Sequence, residues 1–511
     1  MSEEQKKSDN RPRPTTDEFR AFVARGWAPR AGGLPPLSDA ARYARSRREA
    51  LSARFPGERL VIPAGGLTVR SNDCDYAFRP HSAFAHLTGL GGDREPDAVL
   101  VLEPLDTPVG EGGHEAVLYF RPLSGRDGDE FFGDPRYGEF WVGARPTLES
   151  MAAETGLTTR HSGEYANAVG KDAGVVGIRI VRDADAALAA ELDGMRSAAG
   201  ALVSESRSAE ERTTAQLDDE LAAYLSVMRI IKDEWEIGEM RSAIDGTLTG
   251  FEAVIADLPE AVRRGRGERW VEGVFGLHAR HHGNGVGYDS ICASGDNANT
   301  LHWIKNTGEI REGDLLLLDA GVEVDSLFTA DITRTLPVNG TFSPAQREIY
   351  DAVYAAQRAG IAAVMPGNRF SDIHDAAIRV IAENLAAWGL LPEGVDVEDT
   401  LDKEHGQYHR RWMVHGTSHH LGLDVHDCAL ATREEYSGAE LKPGMILTVE
   451  PGLYFKADDL LAPERFRGNG VRIEDDVLVT EEGCEVLSAH IPSTADGVES
   501  WIARIRRERP S

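Results

Sequence analysis

Apolar positions along the chain fall into two recurring patterns. Short continuous runs bounded by turn residues read as strands buried on both faces. In the first half these are Leu60-Val61-Ile62-Pro63, Ala98-Val99-Leu100-Val101-Leu102 and Ala116-Val117-Leu118-Tyr119-Phe120. In the second half they are Leu315 to Asp319, Ala330 to Val338, Met445 to Glu450 and Val471 to Thr480. Longer helical stretches lie between and after them, around 196–230 and at 236–256, 266–282, 344–364 and 371–389. Ser343-Pro344 supplies an N-cap followed by proline in the first turn. Strands alternating with helices predict an α/β (α+β) layer structure, and no short repeat at solenoid periods is visible.

The same pattern divides the chain. Residues 1–38 hold Pro, Gly and charge and end in Gly32-Gly33-Leu34-Pro35-Pro36, which predicts a flexible tail, with a docked arm as the alternative. A first domain is expected over 39–230 and a second over 231–511, linked near Ile231-Lys232-Asp233-Glu234. The segment Asp106 to Glu115, with three Gly and one Pro, reads as an exposed hairpin tip.

Composition then narrows the function. With 511 residues, 41% of them apolar, a large core is available and wholesale disorder is excluded. Lys plus Arg number 55 against 84 Asp plus Glu, a formal net charge of −29. Such a surface repels phosphate backbones and anionic lipid, so neither nucleic acid nor a membrane is expected as a partner. Four cysteines without a CxxC pair, and a polar N-terminus, point to a reduced cytoplasm.

Four carboxylates stand where core strands should be apolar. Asp319 ends Leu315-Leu316-Leu317-Leu318, Asp331 opens Ile332-Thr333-Arg334, Glu450 follows Ile446-Leu447-Thr448-Val449, and Glu474 lies inside Val471 to Leu478. Taken singly, each could be a strand-end acid facing water. Together they demand a cation, a proton or exposure, because a buried unpaired carboxylate costs several kcal/mol. Asp319 and Asp331 flank a turn rich in small and acidic residues, so a hairpin could set both on one face.

The segment Met413 to Asp427 adds four of the sixteen histidines: His415, His419, His420 and His426. Gly416, Thr417 and Ser418 are poor helix formers, so a loop entering a strand is preferred over a zinc-type helix. One neutral imidazole and four carboxylates carry −4, which two divalent cations would balance. A mostly oxygen donor set favours Mn²⁺, Mg²⁺ or Co²⁺ over a thiophilic ion. Two such ions about 3.5–4 Å apart can share a hydroxide and polarise a carbonyl, which is hydrolytic machinery.

These residues, in this order, resemble the creatinase/methionine-aminopeptidase superfamily with its pita-bread fold, and most closely the Xaa-Pro aminopeptidase (aminopeptidase P) branch. The resemblance runs through Tyr288, Leu301-His302-Trp303, Leu318-Asp319-Ala320-Gly321, Asp331-Ile332-Thr333-Arg334-Thr335, the histidine segment, Glu450-Pro451-Gly452-Leu453-Tyr454 and Gly470 to Asp476. Asp75 to Arg79 and Leu87-Thr88-Gly89 resemble the amino-terminal domain of that branch. The resemblance implies a dinuclear centre of Asp319, Asp331, His419, Glu450 and Glu474. Manganese is the expected metal, with cobalt or zinc as substitutes. Glu450 is implied as proton shuttle and His415 and His426 as catalytic groups. His302, Tyr288, Tyr454 and Arg472 are implied at the substrate, and Thr333 as a hydrogen bonder behind the ligands. His420 departs from the pattern, where relatives often carry an aromatic; it reads as a tolerated surface change, with an altered pocket rim or a place behind the metal ligands as the alternative.

The implied reaction is release of an N-terminal residue from peptides with proline second. A bond preceding proline is a tertiary amide without an N–H, so a dedicated pocket for the ring is required. An Xaa-Pro dipeptidase, and a metal-free binding member of the superfamily, are the competing readings. A homo-oligomer, dimer or tetramer, is also implied.

Overall fold

The computed structural model describes residues 16–30, 32–105, 113–200 and 213–508. The chain forms two compact units, Met1–Gly89 with Asp93–Asp218, and Leu90–Gly92 with Asp219–Ser511. The division falls inside the helix Thr214–Val227, whereas the sequence reading sets the join at 230/231.

The first unit is built on a five-stranded mixed sheet. Its strands run in the order Thr158–His161, His114–Phe120, Val99–Pro104, Arg59–Pro63, Ile178–Ile180. Val61, Val99, Val101, Val117 and Tyr119 share one face and pack with Ala189 and Leu192 of the helix Ala186–Ala198. The alternate residues Leu60, Ile62, Leu100, Leu118 and Phe120 are equally buried. Both faces are covered, which is why these strands are continuous apolar runs in the sequence.

Part of the segment expected as a tail is a docked arm. Thr16 caps the helix Asp17–Val23, Arg20 donates to both oxygens of Asp129 at 2.9 and 3.0 Å, and Trp27 packs edge-on against Phe131. Residues 1–15 lie outside the described residues. So do 106–112 of the expected hairpin tip, on either side of which Pro104 pairs with His114.

The second unit carries two helix pairs. The helix Glu234–Arg264 opens on a capping box of Asp233 and Glu236 and continues through Pro259, longer than its apolar periodicity suggests. It packs on the helix Gly267–His282, with Phe251 edge-on to Phe275. A side chain at Gly250 would meet the Phe275 ring at 2.7 Å, so glycine is what lets this pair close. Ser343 caps the helix Pro344–Ala363, with proline in its first turn as expected, and the helix Phe370–Ala387 pairs with it. Among the described residues no helix is long and apolar enough to cross a membrane.

Against these helices lie short antiparallel ladders. Leu315–Ala320 is flanked by Ile332–Pro337 and Ile291–Ser294. Ile446–Val449 pairs with Asp475–Val479, and Gly452–Phe455 pairs with Asn469–Arg472. The run Val471 to Thr480, expected as one strand, is therefore two. Both chains leave their ladder at one level: Val449 faces Asp475 on one side of the break and Gly452 faces Arg472 on the other. Glu450 and Glu474 occupy that break, where each strand turns to a new backbone partner: Glu450 N donates to the Thr417 carbonyl at 2.9 Å and Glu474 N to the Thr333 carbonyl at 3.1 Å.

Candidate active site

Asp319 and Asp331 stand together at the end of the hairpin formed by Leu315–Ala320 and Ile332–Pro337. The close turn back depends on Gly321, where a Cβ would lie 1.7 Å from the Ala330 carbonyl oxygen. The Tyr288 hydroxyl lies 2.7 Å from Asp319 Oδ1 and 2.5 Å from Asp331 Oδ1. Thr333, paired across the ladder with Asp319, donates its hydroxyl to Glu474 Oε2 at 2.6 Å. Arg472 donates to Asp319, to Thr333 Oγ1 at 3.2 Å and to the Tyr454 hydroxyl at 3.0 Å.

The histidine segment closes the opposite side. His419 Nδ1 lies 3.1 Å from the His420 carbonyl, an acceptor only, so this nitrogen carries the proton. The other nitrogen, Nε2, faces the acids, 3.3 Å from Asp331 Oδ2 and 3.8 Å from Glu450 Oε1. One donor atom each from Asp331, His419 and Glu474 lies within 4.8 Å of the others. His415 donates from Nδ1 to the Gly416 carbonyl at 2.6 Å and accepts from the Tyr454 hydroxyl at Nε2 over 2.7 Å. Arg472, Tyr454 and His415 thus form a relay in which each group donates to the next. The His426 ring packs edge-on against that of His419.

One cavity of about 470 Å³ gathers these groups: Tyr288, His302, Asp319, Asp331, His415, His419, His426, Glu450, Arg472 and Glu474 all line it. Tyr454 lies behind His415 and Arg472 and lines a second cavity instead.

The donor set fits divalent cations on its own chemistry. Burial and mutual repulsion push the carboxyl pKa of Asp319 up and that of Glu474 well up, and carry Glu450 to about 7. Burial opposes the imidazolium of His419, but the hydrogen bond to Asp331 and the charge of Glu450 win and bring it up to about 9. One phenolic proton on Tyr288 faces two acids, and among the described residues Arg472 is the one lysine or arginine lining the cavity. Four crowded acids with so little compensating charge favour a bound cation or a retained proton. The hard oxygen donors with one imidazole suit Mn²⁺-, Mg²⁺- or Co²⁺-type ions. Burial, with Arg472 alongside, depresses His415 to about 3, so that ring is neutral.

His420 is not on the surface. It is fully buried, tilted against Phe370 and edge-on to Tyr436, and neither ring nitrogen has a hydrogen-bond partner. The aromatic cage of Phe370 and Tyr436 rules out a surface position.

Two supporting acids escaped the sequence reading. Glu268, fully buried, accepts from Ser294 N, Asn297 Nδ2, Trp303 Nε1 and Gly308 N, and so pins the loop that carries His302. It sits in the first turn of a helix, where an acid looks like ordinary dipole compensation. Asp427 anchors the far end of the histidine segment on Arg229 and Lys232. The only hint in the sequence is a basic pair near the domain link.

Residues 238–481 match the model of metallopeptidase family M24, and residues 44–172 that of the aminopeptidase P N-terminal domain. Xaa-Pro aminopeptidase 1 of Streptomyces coelicolor is 49% identical over 493 residues, 96% of this chain and 93% of that protein. This chain belongs to metallopeptidase family M24. Within the family, Xaa-Pro aminopeptidase 2 of the same organism is 48% identical over 95% of this chain and 96% of that one. The solved aminopeptidase P from E. coli with the inhibitor Pro-Leu superposes with a TM-score of 0.76, at 29% identity over 93% of this chain and all of that one. As a family M24 member of the aminopeptidase P branch, the chain is a metallo-exopeptidase, a hydrolase acting on peptides with divalent metal. The N-terminal domain and the pita-bread catalytic domain are the family's two parts.

Proposed function

We propose that this chain is an Xaa-Pro aminopeptidase that releases the N-terminal residue from peptides whose second residue is proline. The observation that carries the reading is the convergence of Asp319, Asp331, Glu450, Glu474 and His419 on one cavity wall. The names of the two Streptomyces relatives support the substrate class.

In this reading Asp319, Asp331, His419, Glu450 and Glu474 hold two divalent cations, manganese in the native enzyme. Those ions would supply Lewis acidity and a water acidified to near neutrality. The chain's own residues do the rest. Glu450, its side chain 16% exposed and reaching the cavity, takes the proton of the attacking water and delivers it to the departing proline nitrogen. His415, held neutral and oriented by Tyr454, and His426 face the scissile carbonyl. His302 and Tyr288 line the place where the proline ring packs. Thr333 and Arg472 hold Glu474 and Asp319 in orientation.

The homo-oligomer rests on the exposed apolar residues Phe140, Trp141 and Val142 of the first unit. Cytoplasmic residence rests on four unpaired cysteines.

Product analysis tests the activity. Metal-depleted protein should be inactive, Mn²⁺ should restore it, and an Arg-Pro-Pro tripeptide should yield free arginine. Cleavage of Xaa-Pro dipeptides with no release from any tripeptide would make the enzyme a dipeptidase instead.

A further inference from the structure

Arg334 is fully buried and uses all five of its N–H groups. Nη1 donates to the carbonyls of Thr333 at 2.9 Å and Glu474 at 2.6 Å. Nη2 donates to Asp475 Oδ1 at 2.6 Å and to the Ile491 carbonyl at 3.0 Å, and Nε to the Pro492 carbonyl at 2.8 Å. Charge balance with Asp475 takes one of the five. The other four reach backbone oxygens on the strand Ile332–Pro337, at Glu474, and in the stretch that enters the C-terminal helix Ala495–Glu508.

The grip on Glu474 is two-sided. Its N–H donates to the Thr333 carbonyl at 3.1 Å while its own carbonyl accepts from Arg334. Asp331 lies two residues before Thr333, so Arg334 fixes relative to each other the backbone positions from which Asp331 and Glu474 project. The C-terminal stretch is itself well anchored. Ser488 donates to Asp475 Oδ1 at 2.6 Å, and the buried Tyr350 hydroxyl donates to the Ser493 carbonyl at 2.8 Å. Arg506 donates to the Val338 and Asn339 carbonyls at 2.7 and 3.0 Å, just past the far end of the strand that follows Asp331. That strand is therefore tied to the C-terminal stretch at both ends.

We propose that Arg334 is a positioning residue for the metal centre, and that docking of the C-terminal stretch 488–508 sets divalent-metal affinity through it. The inference rests on the assignment of Asp331 and Glu474 as metal ligands and adds a control remote from the cavity, which Arg334 does not line. Lysine would keep a charge beside Asp475, but its donors radiate from a single atom and cannot span the four carbonyls. The coupling is reciprocal: if docking strengthens metal binding, bound metal strengthens docking by the same factor.

Chelator competition measures the Mn²⁺ affinity of the full-length protein, and amide hydrogen exchange follows the helix Ala495–Glu508 with and without Mn²⁺. Arg334→Lys should weaken Mn²⁺ binding by about 10–100-fold. Tyr350→Phe, which leaves Arg334 and every ligand in place, should weaken it by about two- to fivefold. In the wild type, Mn²⁺ should slow exchange along that helix. A purely structural role would lower the thermal transitions of metal-free and Mn²⁺-loaded protein alike and leave the affinity unchanged. Wild-type affinity in Tyr350→Phe, with helix exchange indifferent to Mn²⁺, would overturn the coupling even if Arg334→Lys failed to fold. Wild-type protein that binds no Mn²⁺ would instead remove the ligand assignment itself.

Discussion

Thr333, on the strand Ile332–Pro337 whose backbone bridges Glu474, also donates its hydroxyl to that acid over 2.6 Å. The same oxygen receives Arg472 Nε at 3.2 Å, so one threonine orders both an acid of the cluster and the cation beside it. Thr333→Val keeps the shape and β-branching but removes that link. The expected result is a divalent-metal affinity weakened by about 10–100-fold, the usual scale for losing an outer-shell partner. Competition of Mn²⁺ against a chelator would measure it, and unchanged affinity would show that Glu474 needs no such support.

Glu450 leaves its ladder at Pro451 and faces the cavity between His415 and His419, at 3.6 and 3.8 Å. Glu450→Gln keeps the volume but cannot carry a proton. We expect kcat to fall by about 10²–10⁴-fold or more, with the thermal transition nearly unchanged. His419→Ala should abolish turnover through loss of metal, visible as a lowered metal content. Near-wild-type rates in either variant would remove the site as assigned.

How much of this was legible in the sequence differs by element. The run Leu315 to Leu318 announced a strand covered on both faces, and Ser343-Pro344 announced a helix start, because those signals are local. The split of Val471 to Thr480 was not legible. Its apolar pattern continues through Ile473, and only pairing with two different partners, Gly452–Phe455 and Ile446–Val449, breaks it. The acids were conspicuous singly, but their meeting over about 155 positions is a property of the fold, which spacing does not encode. His419 could be chosen among four histidines only through the family resemblance. The segment Thr16 to Arg30 reads as a tail because Pro, Gly and charge surround it, and Trp27 finds its partner Phe131 more than a hundred residues on.

His420 prompts a stability prediction. An imidazole fully buried against Phe370 and Tyr436, with both nitrogens unsatisfied, carries a desolvation penalty of about 1–3 kcal/mol. His420→Phe replaces it with an apolar ring of comparable outline. Stability at neutral pH should rise by about 1–2 kcal/mol, read as a higher denaturant midpoint at unchanged slope. A destabilised variant would mean that the ring nitrogens are satisfied in solution.

Glu95 in the first unit sets a pH dependence that does not involve the catalytic acids. It is 6% exposed, and burial raises its carboxyl pKa to about 7, against the pull of Arg94 and Arg145. An unfolded glutamate titrates near 4.5, so between about 4.5 and 7 the folded chain binds the proton that the unfolded chain has released. Stability must therefore fall as pH rises through that window, by at most about 3 kcal/mol. Glu95→Gln mimics the neutral acid at every pH. The variant should match the wild type near pH 4.5 and exceed it progressively up to pH 8, in the unfolding transition of the first unit. Parallel pH profiles for the two proteins would show that Glu95 stays ionised in the folded state.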